Sequence, residues 1–173
     1  VVIGNPPFGD MIKEGDEDQL GNNSLENFEI SSGRVQVPSE HVILEKSIKM
    51  LREDGLLGLV LPDGVLNNQG DQSNCPQLRS YLVKHGRILA VVSLPDYAFR
   101  KSGAQNKTSI LFFKKYNYDQ RIAFENIYDA EIANGANDDN AVLAALYANP
   151  YKVFMAEANY VGYSSTGNLI EKN

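Results

Sequence analysis

The residues best suited to chemistry are Asn5-Pro6-Pro7-Phe8, which directly follow the apolar run Val1-Val2-Ile3-Gly4. The exocyclic amino group of a purine or an amide is a poor nucleophile, because its lone pair is delocalised into the π system. Two acceptors aimed at its hydrogens, the side-chain oxygen of Asn5 and the backbone carbonyl of Pro6, would pull it towards an attacking, tetrahedral geometry. Phe8 offers an aromatic face for stacking a flat ring. The four residues therefore predict a site that polarises a planar amino group with fixed acceptors and without a titrating base.

The two prolines explain the spacing of this motif. Each proline fixes its own φ and forces the preceding residue into an extended conformation. Pro6 and Pro7 together therefore stiffen the turn and set the direction of both carbonyls. The alternative interpretation is an ordinary Pro-Pro turn after a strand, with Phe8 filling the core.

A second cluster of candidate residues lies between Pro95 and Gly103, where two aromatic and two cationic side chains occur together. An aromatic side chain here would contact the second face or edge of the ring that Phe8 stacks. Arg100 and Lys101 would meet phosphates, and Lys107 is either a further phosphate contact or a solvated lysine. The aromatic candidates are Tyr97 and Phe99, and the alternative for Phe99 is that it only anchors the loop to the core.

Other polar residues receive structural interpretations. Asp63 and Asn67 are interpreted as a helix cap or turn formers. His41 and His85 have no metal-ligand partners at suitable spacing and are predicted to lie at the surface. Cys75 is predicted to be a partly buried residue near a helix start, and no metal site is predicted. The acidic run from Glu14 to Asp18 lacks the ligand ladder of a calcium loop and is predicted to be solvated.

Two helices are predicted from apolar periodicity and end signals. Ser39 is the expected N-cap of the first helix, which ends by Gly55. Pro76 begins the second helix and Gly86 ends it. The expected inward faces are Leu44, Ser47, Ile48 and Leu51 in the first helix, and Leu78, Tyr81 and Leu82 in the second.

Three further apolar runs predict buried strands at Leu56–Leu61, Ile88–Leu94 and Ser109–Lys114. Alternation with the helices favours parallel pairing, whereas the last strand follows a loop without a helical pattern and is predicted to run antiparallel. Ligands of open α/β sheets bind beyond the carboxyl ends of the parallel strands. The loops expected to converge there are Asn5–Gly9, Pro62–Asn68 and Pro95–Thr108.

The remaining segments give weaker signals. Residues 9–37 predict a long loop with the apolar anchors Leu25, Phe28 and Ile30. Ile122-Ala123-Phe124 is predicted to add a short strand. Asp138 or Asp139 is expected to cap a helix that carries Val142, Leu143, Leu146 and Tyr147, and the chain from residue 151 is expected to be irregular.

Composition restricts the function classes. The 173 residues, 43% hydrophobic with one cysteine, suffice for one core and exclude an internal disulfide framework. There is no apolar run long enough to span a membrane and no signal peptide, which predicts a soluble, cytoplasmic protein without a membrane partner. The net charge of −6 disfavours a free-standing DNA-binding module, which normally has a basic surface.

The order of several segments resembles the C-terminal half of an N6-adenine DNA methyltransferase domain, of the kind found in modification subunits of type I restriction–modification systems. The resemblance runs from residue 1 to about residue 167. It is carried by Val2–Gly9, Asp54–Leu66, Val91–Pro95 and Lys107–Phe113, with a fainter match at Val161-Gly162-Tyr163 and Thr166-Gly167.

The resemblance implies a partial Rossmann-like, S-adenosylmethionine-dependent methyltransferase fold with a mostly parallel sheet and a terminal antiparallel strand. It also implies that Asn5 and Pro6 polarise the N6 amino group of an extruded adenine next to the cofactor, that Phe8 stacks the base, and that Phe99 is the stronger aromatic partner, ahead of Tyr97. The chain is interpreted as one domain, with residues 1–120 as the methyltransferase sheet and residues 121–173 as an extra strand, helix and irregular tail.

The family's Gly-rich cofactor turn is missing from the sequence. The chain also opens on the family's fourth strand without an initiator Met, so it is interpreted as a fragment without the cofactor-binding half. S-adenosylmethionine use is expected only for the intact parent, and the fragment is expected to be inactive. DNA is the implied partner, and specificity and restriction subunits are further candidates. Methylation of RNA bases or protein glutamine, or a non-catalytic role in assembly, is the alternative.

Overall fold

A computed structural model describes residues 1–16, 25–99 and 107–170 of the chain. Short apolar runs form seven strands in this part of the chain: β1 Val2–Gly4, β2 Met11–Lys13, β3 Gln36–Pro38, β4 Leu56–Pro62, β5 Gly86–Ser93, β6 Thr108–Lys115 and β7 Phe154–Glu157. Five α-helices accompany them: α1 Ser39–Met50, α2 Asp63–Asn67, α3 Cys75–His85, α4 Tyr118–Ala133 and α5 Asp138–Ala148.

Five of the strands form one mixed sheet in the order β1-β4-β6-β5-β7. β1 pairs parallel with β4 and β7 pairs parallel with β5, while β6 is antiparallel to both of its neighbours. The predicted mostly parallel α/β sheet and the reversed strand are therefore confirmed. The reversed strand is not at the end of the sheet, however, because it lies between β4 and β5 and β7 forms the edge. The sequence shows that β6 reverses direction but not which strands it pairs with.

One face of this sheet holds the main hydrophobic core. Alternate residues of β4 and β6 point to this face and are at most 2% exposed, namely Leu57, Leu59, Leu61, Leu111 and Phe113. They pack against apolar side chains of α1 and α3, including Leu44, Ile48, Leu78 and Leu82. Burying this apolar area removes it from water and is the main stabilising contribution to the fold. The predicted inward faces of both helices are confirmed.

The first helix begins differently from the prediction. Pro38 is the N-cap of α1 and Ser39 is its first helical residue, so the predicted N-cap at Ser39 is wrong. The Ser39 hydroxyl is directed away from the helix and donates a hydrogen bond to the Pro7 carbonyl. The helix ends at Met50, before a turn that contains Asp54 at φ 58° and leads into β4.

The C-terminal segment also differs from the prediction. Residues 122–124 lie inside α4 and not in a strand. A capping box fixes the start of that helix, since Asn117 accepts from the Gln120 backbone and the Gln120 side chain accepts from the Asn117 backbone. The predicted helix near residue 138 is confirmed as α5, but its cap is Asn137. The expected irregular tail contains β7, which extends the sheet beyond β5.

The predicted long loop contains a short antiparallel pair, β2 and β3, and its apolar anchors are confirmed. Leu25 and Ile30 are buried and Phe28 packs against the core. Of the acidic run, Glu14 to Asp16 are exposed as predicted, and the rest of it lies outside the described residues. No helix in the described ranges is both long enough and apolar enough to cross a membrane.

Both histidine predictions need correction. His41 is 2% exposed inside α1, and burial lowers its pKa to about 4. His85 is half-buried at the end of α3, with its ring 4.1 Å from that of Tyr81 and its Nε2 3.5 Å from Glu29. Cys75 is the first residue of α3 and buried, and its Sγ lies 4.0 Å from the His41 Nε2. Helical periodicity places His41 near the buried face of α1. The prediction of a surface position followed the polar residue type instead of this periodicity.

Candidate active site

The three loops expected to converge begin at the same edge of the sheet. β1, β4 and β5 run in the same direction, so their carboxyl ends lie on the same side of the sheet. β4 and β5 end on either side of the start of the reversed strand β6, and β1 ends beside β4. Two backbone hydrogen bonds link this edge: the Asp63 N–H donates to the Lys107 carbonyl at 3.0 Å, and the Leu94 N–H donates to the Thr108 carbonyl at 2.9 Å. The start of β6 therefore joins the loop after β4 to the loop after β5.

The Asn-Pro-Pro-Phe turn occupies this edge directly after β1. Asn5 and Pro7 are exposed, Pro6 is buried and Phe8 is half-buried. The turn closes at Gly9, whose φ of +89° lies in the region that glycine adopts readily. The buried Pro6 ring anchors the turn, while the Asn5 amide remains accessible to a ligand beyond the strand ends.

The first turn of α1 makes hydrogen bonds to the Asn-Pro-Pro-Phe turn and to the residues just after it. The Ser39 hydroxyl donates to the Pro7 carbonyl at 3.4 Å, and the Gly9 N–H donates to the Glu40 Oε2 at 3.4 Å. The Ser39 N–H also donates to the Asp10 carbonyl at 2.8 Å. Sequence reasoning missed the contribution of Ser39 and Glu40, because they lie about thirty residues downstream and no spacing rule connects them to the turn.

Asp63 and Asn67 belong to a short helix, but neither caps it, because Pro62 is the N-cap, Asn68 is the C-cap and no side chain makes a capping hydrogen bond. They are the first and last residues of α2, on the loop that follows β4. The Asp63 carboxylate accepts a hydrogen bond from the Ser109 hydroxyl at 2.6 Å. Ser109 is 3% exposed, so this bond satisfies a buried hydroxyl and ties α2 to β6.

The aromatic candidates lie on the loop after β5. Tyr97 and Phe99 are both half-buried. The Tyr97 hydroxyl donates to the Asn159 carbonyl at 3.4 Å, its ring lies edge-on to that of Tyr163 at 6.1 Å, and the Tyr163 hydroxyl donates to the Ala98 carbonyl. Tyr97 is therefore engaged with the C-terminal segment.

The cationic candidates are only partly described. Arg100 and Lys101 lie outside the described residues. Lys107 lies immediately before β6, and its Nζ is 3.8 Å from the Glu157 Oε1. Both side chains are substantially exposed, so this ion pair contributes little to stability and can exchange for another anion.

The residues present do not form a complete binding site for S-adenosylmethionine. A Gly-x-Gly turn, which lets backbone approach a nucleotide-like ligand, occurs nowhere in the sequence. The first described parallel strand is followed by a Pro-Pro turn, which lacks the backbone N–H donors of such a turn. Within the described ranges, no group of three or more His, Cys, Asp or Glu side chains is arranged to hold a metal ion.

Comparisons with known proteins place these features in a family context. The family model described as N-6 DNA Methylase matches residues 1–167. The methylase subunit of the type I restriction enzyme EcoEI from Escherichia coli is 29% identical over 115 residues, which cover 66% of this chain and 21% of that protein. The chain therefore spans about a fifth of the length of this curated relative.

Two solved structures share the fold. A Listeria monocytogenes protein assigned to the class I S-adenosylmethionine-dependent methyltransferases superposes with a TM-score of 0.58 at 17% identity, covering 92% of this chain and 36% of that chain. The modification subunit of a protein assigned as a type I restriction enzyme, from Vibrio vulnificus YJ016, gives a TM-score of 0.50 at 22% identity, covering 66% and 22%.

Proposed function

We propose that this chain, which belongs to the N-6 DNA methylase family, carries the target-base site of an enzyme that methylates the N6 amino group of adenine in DNA. The observation that carries the proposal is the Asn-Pro-Pro-Phe turn, which lies at the carboxyl end of β1 with Asn5 exposed and Pro6 buried. This is the edge at which open α/β sheets bind their ligands.

The proposed chemistry at this turn is polarisation of the adenine amino group. The Asn5 side-chain oxygen and the Pro6 carbonyl each accept one hydrogen bond from the N6 amino group. The nitrogen lone pair thereby becomes available for attack, and the Pro6 carbonyl needs little reorganisation because the two prolines fix the backbone that carries it. The attack would be a direct displacement, in which the N6–methyl bond forms as the sulfonium–methyl bond breaks, the thioether product leaves, and the surplus proton on N6 passes to solvent. No covalent intermediate on the protein forms, so no nucleophilic side chain is required.

Phe8 is proposed to stack on the base. An adenine within a duplex exposes its amino edge only to the groove, so the base must leave the stack before N6 can reach Asn5. A half-buried aromatic ring next to the acceptors can replace part of the lost stacking. Phe99 is the proposed second aromatic contact, with Tyr97 as the alternative.

S-adenosylmethionine supplies the methyl group in this family, and we infer that its methionine and ribose are held by residues outside this sequence. The contribution of this chain is then limited to Asn5, which lies between base and cofactor. The isolated chain is accordingly expected to bind the cofactor weakly and to be inactive.

We further propose that the parent acts in a type I restriction–modification system, in the cytoplasm, with specificity and restriction subunits as protein partners. The proposal is supported by the family membership and by the similarity to the EcoEI methylase subunit. The net charge of −6 requires that other parts of the assembly neutralise most of the DNA phosphates. Arg100, Lys101 and Lys107 would supply the local contacts.

The proposal is tested by methyl transfer from labelled S-adenosylmethionine in the parent protein, with DNA, RNA and peptide substrates side by side. We expect transfer to DNA adenine only. Asn5→Ala should raise the barrier by about 3 kcal/mol, or roughly 100-fold in kcat, with little change in DNA affinity. The matched control is Asn67→Ala, an exposed asparagine at the end of α2 near the same edge, which should retain activity. Transfer to RNA or peptide, or equal losses in binding and turnover for Asn5→Ala, would refute the proposal.

A further inference from the structure

We infer that Glu40 is a positioning residue for the Asn-Pro-Pro-Phe turn, acting through the backbone of Gly9. This inference rests on the proposed function of the turn and adds a residue to the machinery behind it. Glu40 is the second residue of α1, it is 7% exposed, and its Oε2 accepts the Gly9 N–H at 3.4 Å. A buried carboxylate that contacts the candidate site from another element needs an explanation beyond solubility.

The contacts from α1 act on both sides of Phe8. The Ser39 hydroxyl donates to the Pro7 carbonyl, in the peptide unit before Phe8, and Glu40 accepts from the Gly9 N–H, in the peptide unit after it. A third bond, from the Ser39 N–H to the Asp10 carbonyl at 2.8 Å, fixes the chain just beyond. The first turn of α1 therefore holds both peptide units that orient the proposed stacking residue.

The location of Glu40 suits a negative charge. It lies in the first turn of α1, where the unpaired backbone N–H groups and the helix dipole stabilise an anion. Gly9 supplies the complementary geometry, because its φ of +89° reverses the chain there. A residue other than glycine would be strained in this backbone conformation.

The constraint reaches the acceptors through the prolines. Pro6 and Pro7 restrict the backbone between Asn5 and Phe8, so fixing the Pro7 carbonyl and the Gly9 N–H also restricts the direction of the Pro6 carbonyl and the backbone position from which the Asn5 side chain extends. Positioning of this kind affects rate strongly, since a displacement of about 1 Å can lower turnover by about 100-fold. Glu40 is expected to affect the chemical step more than DNA affinity.

The same helix provides a matched control. Glu45 lies five residues further along α1, is 0% exposed, and accepts the N–H groups of Glu29 and Ile30 at 2.9 and 3.0 Å. It therefore satisfies the backbone of a different segment with the same type of group. Removing either carboxylate should destabilise the fold, but only Glu40 contacts the Asn-Pro-Pro-Phe turn in the described structure.

The experiment measures kcat and KM for DNA methylation, DNA affinity and thermal stability in the parent protein for five forms. These are the wild type, Asn5→Ala, Glu40→Ala, Glu40→Gln and Glu45→Ala. We expect Glu40→Ala to lower kcat by between about tenfold and 100-fold with KM for DNA and DNA affinity nearly unchanged. Glu40→Gln, whose amide oxygen can accept the Gly9 N–H, should recover much of the loss. Glu45→Ala should lower the melting temperature and leave kcat near the wild-type value.

The outcomes separate the two proposals. A kcat for Glu40→Ala no lower than that for Glu45→Ala, while Asn5→Ala shows its expected loss of roughly 100-fold, overturns the positioning role and leaves the proposed function intact. Wild-type activity in Asn5→Ala overturns the proposed function and, with it, the role assigned here to Glu40. If Glu40→Ala does not fold, the positioning role is tested with Glu40→Gln and Ser39→Ala instead. A wild-type kcat in Ser39→Ala together with a low kcat in Glu40→Gln would contradict positioning through the shared backbone contacts.

Discussion

The two faces of the central sheet differ sharply although the same strands build both. On one face Leu57, Leu59 and Phe113 are at most 2% exposed beneath α1 and α3. On the other face one row of paired residues crosses all five strands, in the order Ile3, Gly58, Phe112, Ala90 and Phe154. Its large members are 83%, 40% and 65% exposed for Ile3, Phe112 and Phe154 respectively.

This difference shows that one face of the sheet stabilises the fold, whereas the other face exposes its apolar side chains. Hydrophobic stabilisation follows the apolar area removed from water, so the face covered by α1 and α3 contributes most of it. The exposed row contributes little to the folding of the described residues. The candidate site lies at the carboxyl end of β1, between the two faces, where Ser39 and Glu40 of α1 contact it.

The largest expected effect comes from substituting two adjacent phenylalanines that point to opposite faces. Phe113→Ala removes a fully buried ring and should lower the free energy of unfolding by about 3–5 kcal/mol. Phe112→Ala removes a partly exposed ring that lies over Gly58 and should cost about 1 kcal/mol or less. Chemical denaturation of both variants and the wild type measures the difference. Equal losses would contradict the contrast between the faces.

The covered face should also respond to acid. Burial lowers the pKa of His41 from 6.5 to about 4, so the unfolded chain binds a proton at a pH where the folded chain does not. The stability associated with neutral His41 is thus complete above pH 6.5 and is lost as the pH falls towards 4. The loss amounts to at most about 3.5 kcal/mol at 1.4 kcal/mol per pKa unit.

The measurement for His41 is the midpoint of urea unfolding between pH 7.5 and 4. His41→Leu removes the titrating group from the covered face and should flatten this part of the profile. Carboxylates shared by both proteins cancel in the comparison. An unchanged slope in His41→Leu would show that the imidazole does not remain neutral in the folded protein, and it would weaken the contrast between the two faces.

Much of the covered face could be predicted from the sequence, because its signals are local. The inward faces of α1 and α3 follow from apolar periodicity, and β4, β5 and β6 follow from short apolar runs. The two failures have different causes, since the first overlooked a local helix-start signal and the second depended on non-local strand pairing. Residues 122–124 have strand-like composition, but the capping box at Asn117 and Gln120 starts a helix just before them. The placement of β6 between β4 and β5 depends on pairings that no local pattern encodes.

The candidate site shows the same limit. The sequence indicated which loops leave the same edge, because the direction of parallel strands fixes their carboxyl ends. It did not indicate that Ser39 and Glu40 contact the turn. The local interpretation of Ser39 was a helix N-cap, whereas its hydroxyl bonds to Pro7, and Glu40 bonds to Gly9. The roles assigned to Asn5, Pro6, Pro7, Phe8 and Phe99 remain predictions.

Phe8 provides the smallest and most selective test, because it lies at the edge between the two faces and is half-buried. If it stacks on an extruded base, Phe8→Ala should weaken capture of that base by about 1–3 kcal/mol with little change in stability, and Phe8→Trp should retain much of the binding. Placing the target adenine opposite a mismatch or gap lowers the cost of extrusion, so it should partly restore methylation by Phe8→Ala in the parent protein.

If Phe8 instead fills the core as Phe113 does, the variant should lose several kcal/mol of stability and gain nothing from the mismatch. Activity on matched and mismatched DNA, measured together with the melting temperature, separates these results, and a destabilised variant without rescue would remove Phe8 from the site.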